Sequence, residues 1–196
     1  MKYSLSELNE IIENRRTIFP EQFSERKVQR EQVEKLINAA KWAPTHRLTQ
    51  PWRFTIFMGQ GLTDFGKFHA DLYKDSKTAE DFSQMKYDKI FSRASVASAI
   101  IVVGVKRDPN AKVPFVEEIA ATSAAVQNIA LMATASGLAL YWGTGGMTFS
   151  DEMKSHVGLN EDDQIIGQLF LGYPAGEWPR KTPRKPMEYF TDWRID

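Results

Sequence analysis

The sequence predicts a mixed α/β layer fold formed as one domain over residues 1–196. Three features carry that expectation. Apolar residues recur at helical spacing in several segments, short β-rich apolar runs stand between them, and Gly, Pro, Asn and Asp mark the boundaries. Strands interspersed with helices bury their apolar faces against one another as layers. The content, 42% hydrophobic and 26% charged, is that of an ordinary globular chain.

Each element has its own signal. Ser4-Leu5-Ser6-Glu7 has the form of a capping box. It opens a helix with Leu5, Leu8, Ile11 and Ile12 on one face, ending near Arg15-Arg16. Gln29 to Trp42 repeats the pattern through Val33, Leu36, Ile37 and Ala40, and Pro44 stops it. Arg53 to Met58 is a short strand, and residues 62–93 mix charge with aromatics as one or two surface helices around a loop. Ser98 to Val105 is a continuous apolar run, which suggests a strand covered on both faces. Phe115 to Ser136 is the longest helix; nearly charge-free after Glu118, it is expected to be buried nearly all round, with Gly137 closing it. Ala139 to Thr144 reads as a strand entering a glycine turn, Ser150 to Val157 as a short helix, and Gln164 to Gly172 as the last strand. The tail from Tyr173 to Asp196 has no helical period, yet it holds Trp178, Tyr189, Phe190 and Trp193. Those rings need cover, from a partner subunit or from the tail's own domain.

Composition narrows the function. Lys plus Arg equals Asp plus Glu, at 25 each, which argues against a general nucleic-acid binder. MKYSLSELNE lacks the apolar core of a signal peptide, and the run from Ala97 to Val105 is too short to span a bilayer. The expected address is therefore cytoplasmic, with no membrane partner. Without cysteine there is no disulfide, thiolate nucleophile or iron–sulfur ligand. The histidines, His46, His69 and His156, lack metal-ligand spacing, so no metal site is expected. Redox chemistry in such a chain needs an organic cofactor.

The P-loop, dinucleotide-fold and hydrolase fingerprints are missing from the sequence. Glu117-Glu118 most simply favour the positive end of the long helix. Arg15-Arg16-Thr17 offers two forked cations and a hydroxyl that suit a phosphate, although two Arg in a last turn also complement the helix dipole. Arg184-Lys185 is either an anion clamp or a solvated basic patch. Between Pro44 and Pro51, Thr45, His46 and Gln50 can donate and accept along the edge of a heteroaromatic ring, or simply pack a turn. In Trp142-Gly143-Thr144-Gly145-Gly146, glycines let backbone N–H groups approach a flat ligand, or only make a tight turn.

Taken in order, these motifs resemble the flavin-dependent nitroreductase family, in particular its compact NAD(P)H-using branch. The resemblance rests on R-R-T after the first helix, A-A-x-x-A-P-x-x-x-x-x-Q-P-W-x-F, and a long Ala-rich helix containing Gln127-Asn128. The W-G-T-G turn, L-G-Y-P and the tail R-K-P complete it across the chain. It implies an α+β, three-layer α/β/α sandwich. The central sheet would be mixed, mainly antiparallel, with four or five strands and a C-terminal arm wrapping a dimer partner. It also implies FMN at the interface of a homodimer, NADH or NADPH as co-substrate, and a small aromatic acceptor such as a nitroaromatic or quinone. By the same resemblance, Arg15, Arg16, Thr17 and Arg184 hold the FMN phosphate and ribityl chain. Thr45, His46 and Gln50 reach the flavin of the other subunit, Trp142, Gly143 and Thr144 lie against its ring, and Met132 to Gly137 match a stretch given to NAD(P). No side chain is required as a catalytic acid.

The chain also departs from the family. Many members have Ser or Asn where Thr45 and His46 stand, and some carry a Lys shortly after the R-x-S motif that steadies reduced flavin. Here Phe19, Pro20 and Glu21 follow, leaving Arg47 or His46 as candidates for that charge. Competing expectations are a flavin-binding module without turnover, a flavin-fold enzyme of other chemistry (dehalogenation or flavin destruction) with a lid in residues 62–93, and a purely structural dimer.

Overall fold

The computed structural model describes residues 3–110 and 112–195; Met1, Lys2, Ala111 and Asp196, which the expected domain span includes, lie outside them. The chain runs α1 (Leu5–Asn14), α2 (Arg30–Ala40), β1 (Trp52–Met58), α3 (Gly59–Asp75) and α4 (Gln84–Val96). It continues with β2 (Ala99–Val105), α5 (Phe115–Ala135), β3 (Ala139–Gly143), α6 (Asp151–His156) and β4 (Gln164–Gly172). Local chemistry sets the ends: the Ser4 hydroxyl accepts from the Glu7 amide at 3.3 Å, and the Ser150 hydroxyl from the Met153 amide at 3.2 Å.

The strands order as β1-β2-β4-β3, and every neighbouring pair is antiparallel. The four strands and the mainly antiparallel character agree with expectation, but the sheet is not mixed: β2 and β3 run the same way, and β4 enters between them and removes the parallel contact. Side-chain alternation along β2 divides the core. Ala99, Ile101 and Val103 face α2 and α5, with Val33, Leu36, Leu169 and Leu171. Ile100 and Val102 face the other way, with Phe65, Ala94, Met153, Ile165 and Phe170. Covered on both faces, β2 is buried at all seven residues, as its continuous apolar run implies. Helices on both sides of the sheet make three layers.

The structure refines the expectations for several elements. The long helix α5 is not buried all round: Val116 and Met132 are exposed. The apolar face of α1 is likewise open, with no buried residue and with Leu5, Leu8 and Ile12 exposed. Nor do Glu117 and Glu118 serve only the end of α5. Glu118 is buried and binds the Arg107 guanidinium and the Asp108 amide, whereas Glu117 leaves the helix to meet His46. Residues 62–93 hold most of two helices, α3 and α4, around a loop, as expected, and α3 packs into the core through Phe65, Ala70 and Tyr73.

The turn after β3 is anchored to α3 by His69. Its Nε2 accepts from the Met147 amide at 3.0 Å, and Gly146, at φ 67°, has no space for a side chain because a Cβ there would stand 2.5 Å from that nitrogen. Burial lowers His69 from the ordinary 6.5 to about 4, so the ring is neutral at pH 7. The unfolded chain takes up this proton first. Stability from His69 is therefore complete above pH 6.5 and is lost as pH falls toward 4, by up to about 3 kcal/mol. Denaturant titrations across that range should show the loss in the wild type, and His69→Gln should flatten it.

Candidate functional site

The chain leaving α1 is laid along the outer edge of β3 by one backbone bond, from the Ile18 amide to the Leu140 carbonyl at 3.2 Å. This places Arg15, Arg16 and Thr17 just before that edge. Arg16 is buried and works inward: Nε donates to the Arg180 carbonyl at 3.1 Å and Nη1 to that of Arg15 at 2.7 Å. The Trp178 indole donates to the Asn14 carbonyl at 2.8 Å, and Lys181 pairs with Glu13. The first half of the tail thus folds over its own α1. That brings Arg184 near Arg15, whose guanidinium is held below its ordinary value, first by burial and then by Arg16 and Arg184. Among the described residues neither Arg15 nor Arg184 pairs with a carboxylate. Thr17 is exposed beside them.

At the end of β3 the Trp142 indole crosses β4 and donates to the Ile166 carbonyl at 3.1 Å. Only glycine fits beneath it: at Gly167 (φ 150°) a Cβ would stand 2.1 Å from the indole nitrogen. Gly143 is buried, Thr144 is exposed, and Thr148 closes the turn by donating to the Gly145 carbonyl at 2.5 Å. The Gln168 amide donates to Thr148 at 3.0 Å, which leaves its Oε1 buried without a partner. Such an orphan acceptor costs stability unless something donates to it.

Beneath this turn is a cavity of about 400 Å³, within the range of small-molecule sites. Tyr141, Gln168 and Phe170 line it from the sheet and Gly143, Gly145 and Gly146 from the turn. The opposite wall, from α3 to α4, brings Lys77, Lys86, Lys89 and Arg93, and among the described residues no carboxylate lines the cavity. Arg93 is fixed: it donates to Glu21 at 2.8 Å and lies 5.1 Å over the Tyr141 ring, which meets Phe19 at 5.0 Å. Of the residues expected at the ligand, Gly143 alone lines this cavity. The basic wall was missed, although Lys86, Lys89, Ile90 and Arg93 have the i, i+3, i+4, i+7 spacing of one helix face.

Thr45, His46 and Gln50 lie elsewhere, in the loop before β1. β1 and β3 are opposite edges of the four-stranded sheet, about 14 Å apart at ordinary strand spacing. One chain therefore does not unite this loop with Arg15 and the glycine turn. The loop is nonetheless shaped. His46 Nδ1 meets Glu117 at 2.7 Å, the Thr45 hydroxyl accepts from the Gln50 amide at 3.1 Å, and Arg47, Leu48 and Gln50 have φ of 51°, 54° and 45°. Non-glycine residues hold that conformation at a cost of about 1 kcal/mol or more each, and such strain concentrates at functional loops.

The described residues contain no cluster of His, Asp or Glu fit for a metal, and no helix long and apolar enough to cross a membrane. Residues 12–173 match the model of the Nitroreductase family. A Bacillus subtilis protein provisionally named NAD(P)H nitroreductase YfhC is 28% identical over 181 residues, 91% of each chain. The solved nitroreductase-like family protein of Bacillus cereus superposes with a TM-score of 0.80 at 29% identity, covering 99% of this chain and 98% of its own. A Desulfovibrio desulfuricans protein provisionally named a nitroreductase, solved in complex with FMN, has the same fold: TM-score 0.71, 20% identity and full coverage of both chains. Fold, motif order and relatives agree, and the chain belongs to the nitroreductase family.

Proposed function

We propose that this chain is an FMN-dependent NAD(P)H oxidoreductase, a single FMN-binding domain working as a cytoplasmic homodimer. The observation that carries the reading is the cavity beneath the glycine turn, walled by Lys77, Lys86, Lys89 and Arg93, on the same sheet edge to which Arg15 and the folded-back tail are brought. A basic, ligand-sized site of this kind suits an anionic ligand.

The residues present fit FMN. Arg15 and Arg184, with the Thr17 hydroxyl, suit a phosphate and the start of a polyol chain; Arg16 acts mainly by tying the tail down so that Arg184 stays in reach. The wall made by Gly143, Gly145 and Gly146 admits a flat ring, and the orphan Oε1 of Gln168 marks an unmet acceptor beside it. When bound, FMN supplies the redox chemistry, accepting hydride from NADH or NADPH and delivering it in a second, ping-pong half-reaction to a flat acceptor such as a nitroaromatic or quinone. The protein's share is position and field: the Thr144 and Gly145 amides offer donors at the ring edge, and neutral His69 holds their turn in place. No side chain is needed as a catalytic acid.

The dimer follows from what one chain leaves open. Thr45, His46 and Gln50 sit on the edge away from Arg15, so a second copy is the source that can bring them to a flavin. Leu5, Leu8 and Ile12 form an exposed apolar face on α1, Val116 and Met132 are separately exposed on α5, and Tyr189, Phe190, Trp193 and Ile195 of the arm are each about two-thirds exposed or more. Faces of this kind are buried in obligate assemblies.

Purified protein should show flavin absorption, or gain it on adding FMN, and NADH or NADPH should bleach it. Steady oxidation of NAD(P)H with a quinone then distinguishes an enzyme from a flavin carrier without turnover, and a colourless protein that binds no FMN contradicts the reading. Arg15→Ala should weaken FMN at least about tenfold in a fluorescence titration while leaving the circular dichroism spectrum unchanged. Light scattering should give twice the chain mass for the full chain, and a chain ending at Lys185 should dissociate at concentrations where the full chain does not.

A further inference from the structure

The cavity beneath the glycine turn has an electrically one-sided mouth. Lys77 and Lys86 are exposed yet line it, so they stand at its rim. Two bonds set that rim. The Tyr73 hydroxyl accepts from the Ser83 amide at 3.2 Å, closing the connection from α3 to α4, and the Ser76 hydroxyl donates to the Met147 sulfur at 3.3 Å. Lys77, next in the chain, lies 5.9 Å over the buried Tyr73 ring, and Lys86 belongs to the first turn of α4. Among the described residues neither lysine is in an ion pair. The other cations are spent or shared: Arg93 is committed to Glu21 and Tyr141, and Lys89 shares the field of Glu21. Nor do nearby acids answer the charge. Asp71 is taken by Lys67 and Tyr87, Asp81 by Thr78 and Asp88 by Gln84, and none of the three lines the cavity. In a chain with 25 acidic and 25 basic residues that separation is local, and it leaves a positive field at the opening.

We propose that Lys77 and Lys86 form a recognition site for the anionic group of an acidic aromatic acceptor, a quinone or nitroaromatic that carries a carboxylate, sulfonate or phosphate. The inference rests on the oxidoreductase reading above and names its substrate class. The turn and the lysines are opposite walls of one cavity, so a ring laid on Gly143, Gly145 and Gly146 leaves the lysines facing the open side by which an acceptor enters. The apolar body of such an acceptor stacks inside, while its charged group stays at the wet rim, where a flexible ammonium meets it at little desolvation cost. Cations at an opening also draw anions in before contact. The 2′-phosphate of NADPH is the competing anion. It stands at the far end of the molecule from the ring that gives hydride, and an extended dinucleotide carries it outside a cavity of about 400 Å³. An acid group on the acceptor's own ring falls within reach of the rim. That group is a handle and is unchanged by the reaction: a quinone gains hydride and one proton from water to become a hydroquinone, and NAD(P)H is oxidised to NAD(P)+.

The test compares wild-type holoenzyme with Lys77→Gln/Lys86→Gln and with a charge-matched control, Lys35→Gln/Lys106→Gln, at exposed lysines that line no part of the cavity. The acceptors are naphthoquinone sulfonate and neutral methylnaphthoquinone. The rim variant should lower kcat/KM for the sulfonate about tenfold and change the neutral quinone by less than about twofold, and the control should change neither by more than about twofold. Raising salt from about 0.02 M to about 0.3 M should reduce the wild-type value for the sulfonate and leave that of the rim variant nearly level. Naphthalene sulfonate, which accepts no hydride, gives a reading apart from turnover: its Kd, from perturbation of the flavin spectrum, should rise about tenfold in the rim variant. Equal losses on both quinones, or no loss on the sulfonate, in a folded rim variant overturn the inference and leave the oxidoreductase reading intact. So does a rim variant that lowers kcat/KM for NADPH and not for the sulfonate. If the double variant does not fold, Lys77→Gln alone serves for the same comparison. A wild type that binds no FMN overturns the oxidoreductase reading and this inference together.

Discussion

The amide of Ile18 donates to the carbonyl of Leu140, and through that bond the chain leaving α1 is laid against the outer edge of β3. Most of the candidate site depends on this placement. It carries Arg15 and Thr17 to the edge that ends in the glycine turn and sets the Phe19 ring against Tyr141. It also starts the turn that presents Glu21 to Arg93. The tail follows the same geometry, because Arg16 and the Asn14 carbonyl, on either side of Arg15, are what Arg180 and Trp178 hold. A basic cluster and a ligand-sized cavity thus share one sheet edge, although their residues come from six separate stretches of sequence.

The opposite edge supports the proposal that two copies form the working unit. The loop from Thr45 to Gln50 keeps three non-glycine residues in left-handed conformations and ties His46 to Glu117. That is more definition than a solvent-facing connection between α2 and β1 requires. Together with the exposed apolar residues of α1, α5 and the arm, it supports the proposed dimer.

Much of this was legible in the sequence, and for identifiable reasons. Helices and strands with a clean period, such as Val33-Leu36-Ile37-Ala40 and Ser98 to Val105, lie within a residue or two of where periodicity puts them. Arg15 with Thr17 and the glycine turn were legible because few contexts need two forked cations, or several glycines, in so short a span. Arg93 was not, because in sequence it is one more charge on a mixed helix; only the packing of α4 over Tyr141 turns it into a cavity wall. The buried strand order was hidden too, since nothing in Gln164 to Gly172 says that it enters between β2 and β3. The two roles of Glu117 and Glu118 separate only in three dimensions, where adjacent helix residues point about a quarter-turn apart.

The central claim is spatial: FMN lies along the β3 edge, from the Arg15–Arg184 pair to the cavity beneath the glycine turn. The most direct measurement is a crystal structure of the protein grown with FMN. The account predicts phosphate density between Arg15 and Arg184, a flat ring at Gly143 to Gly146, and Thr45, His46 or Gln50 arriving from a second copy. Density for the ring at another surface, or a phosphate that touches neither arginine, would contradict it.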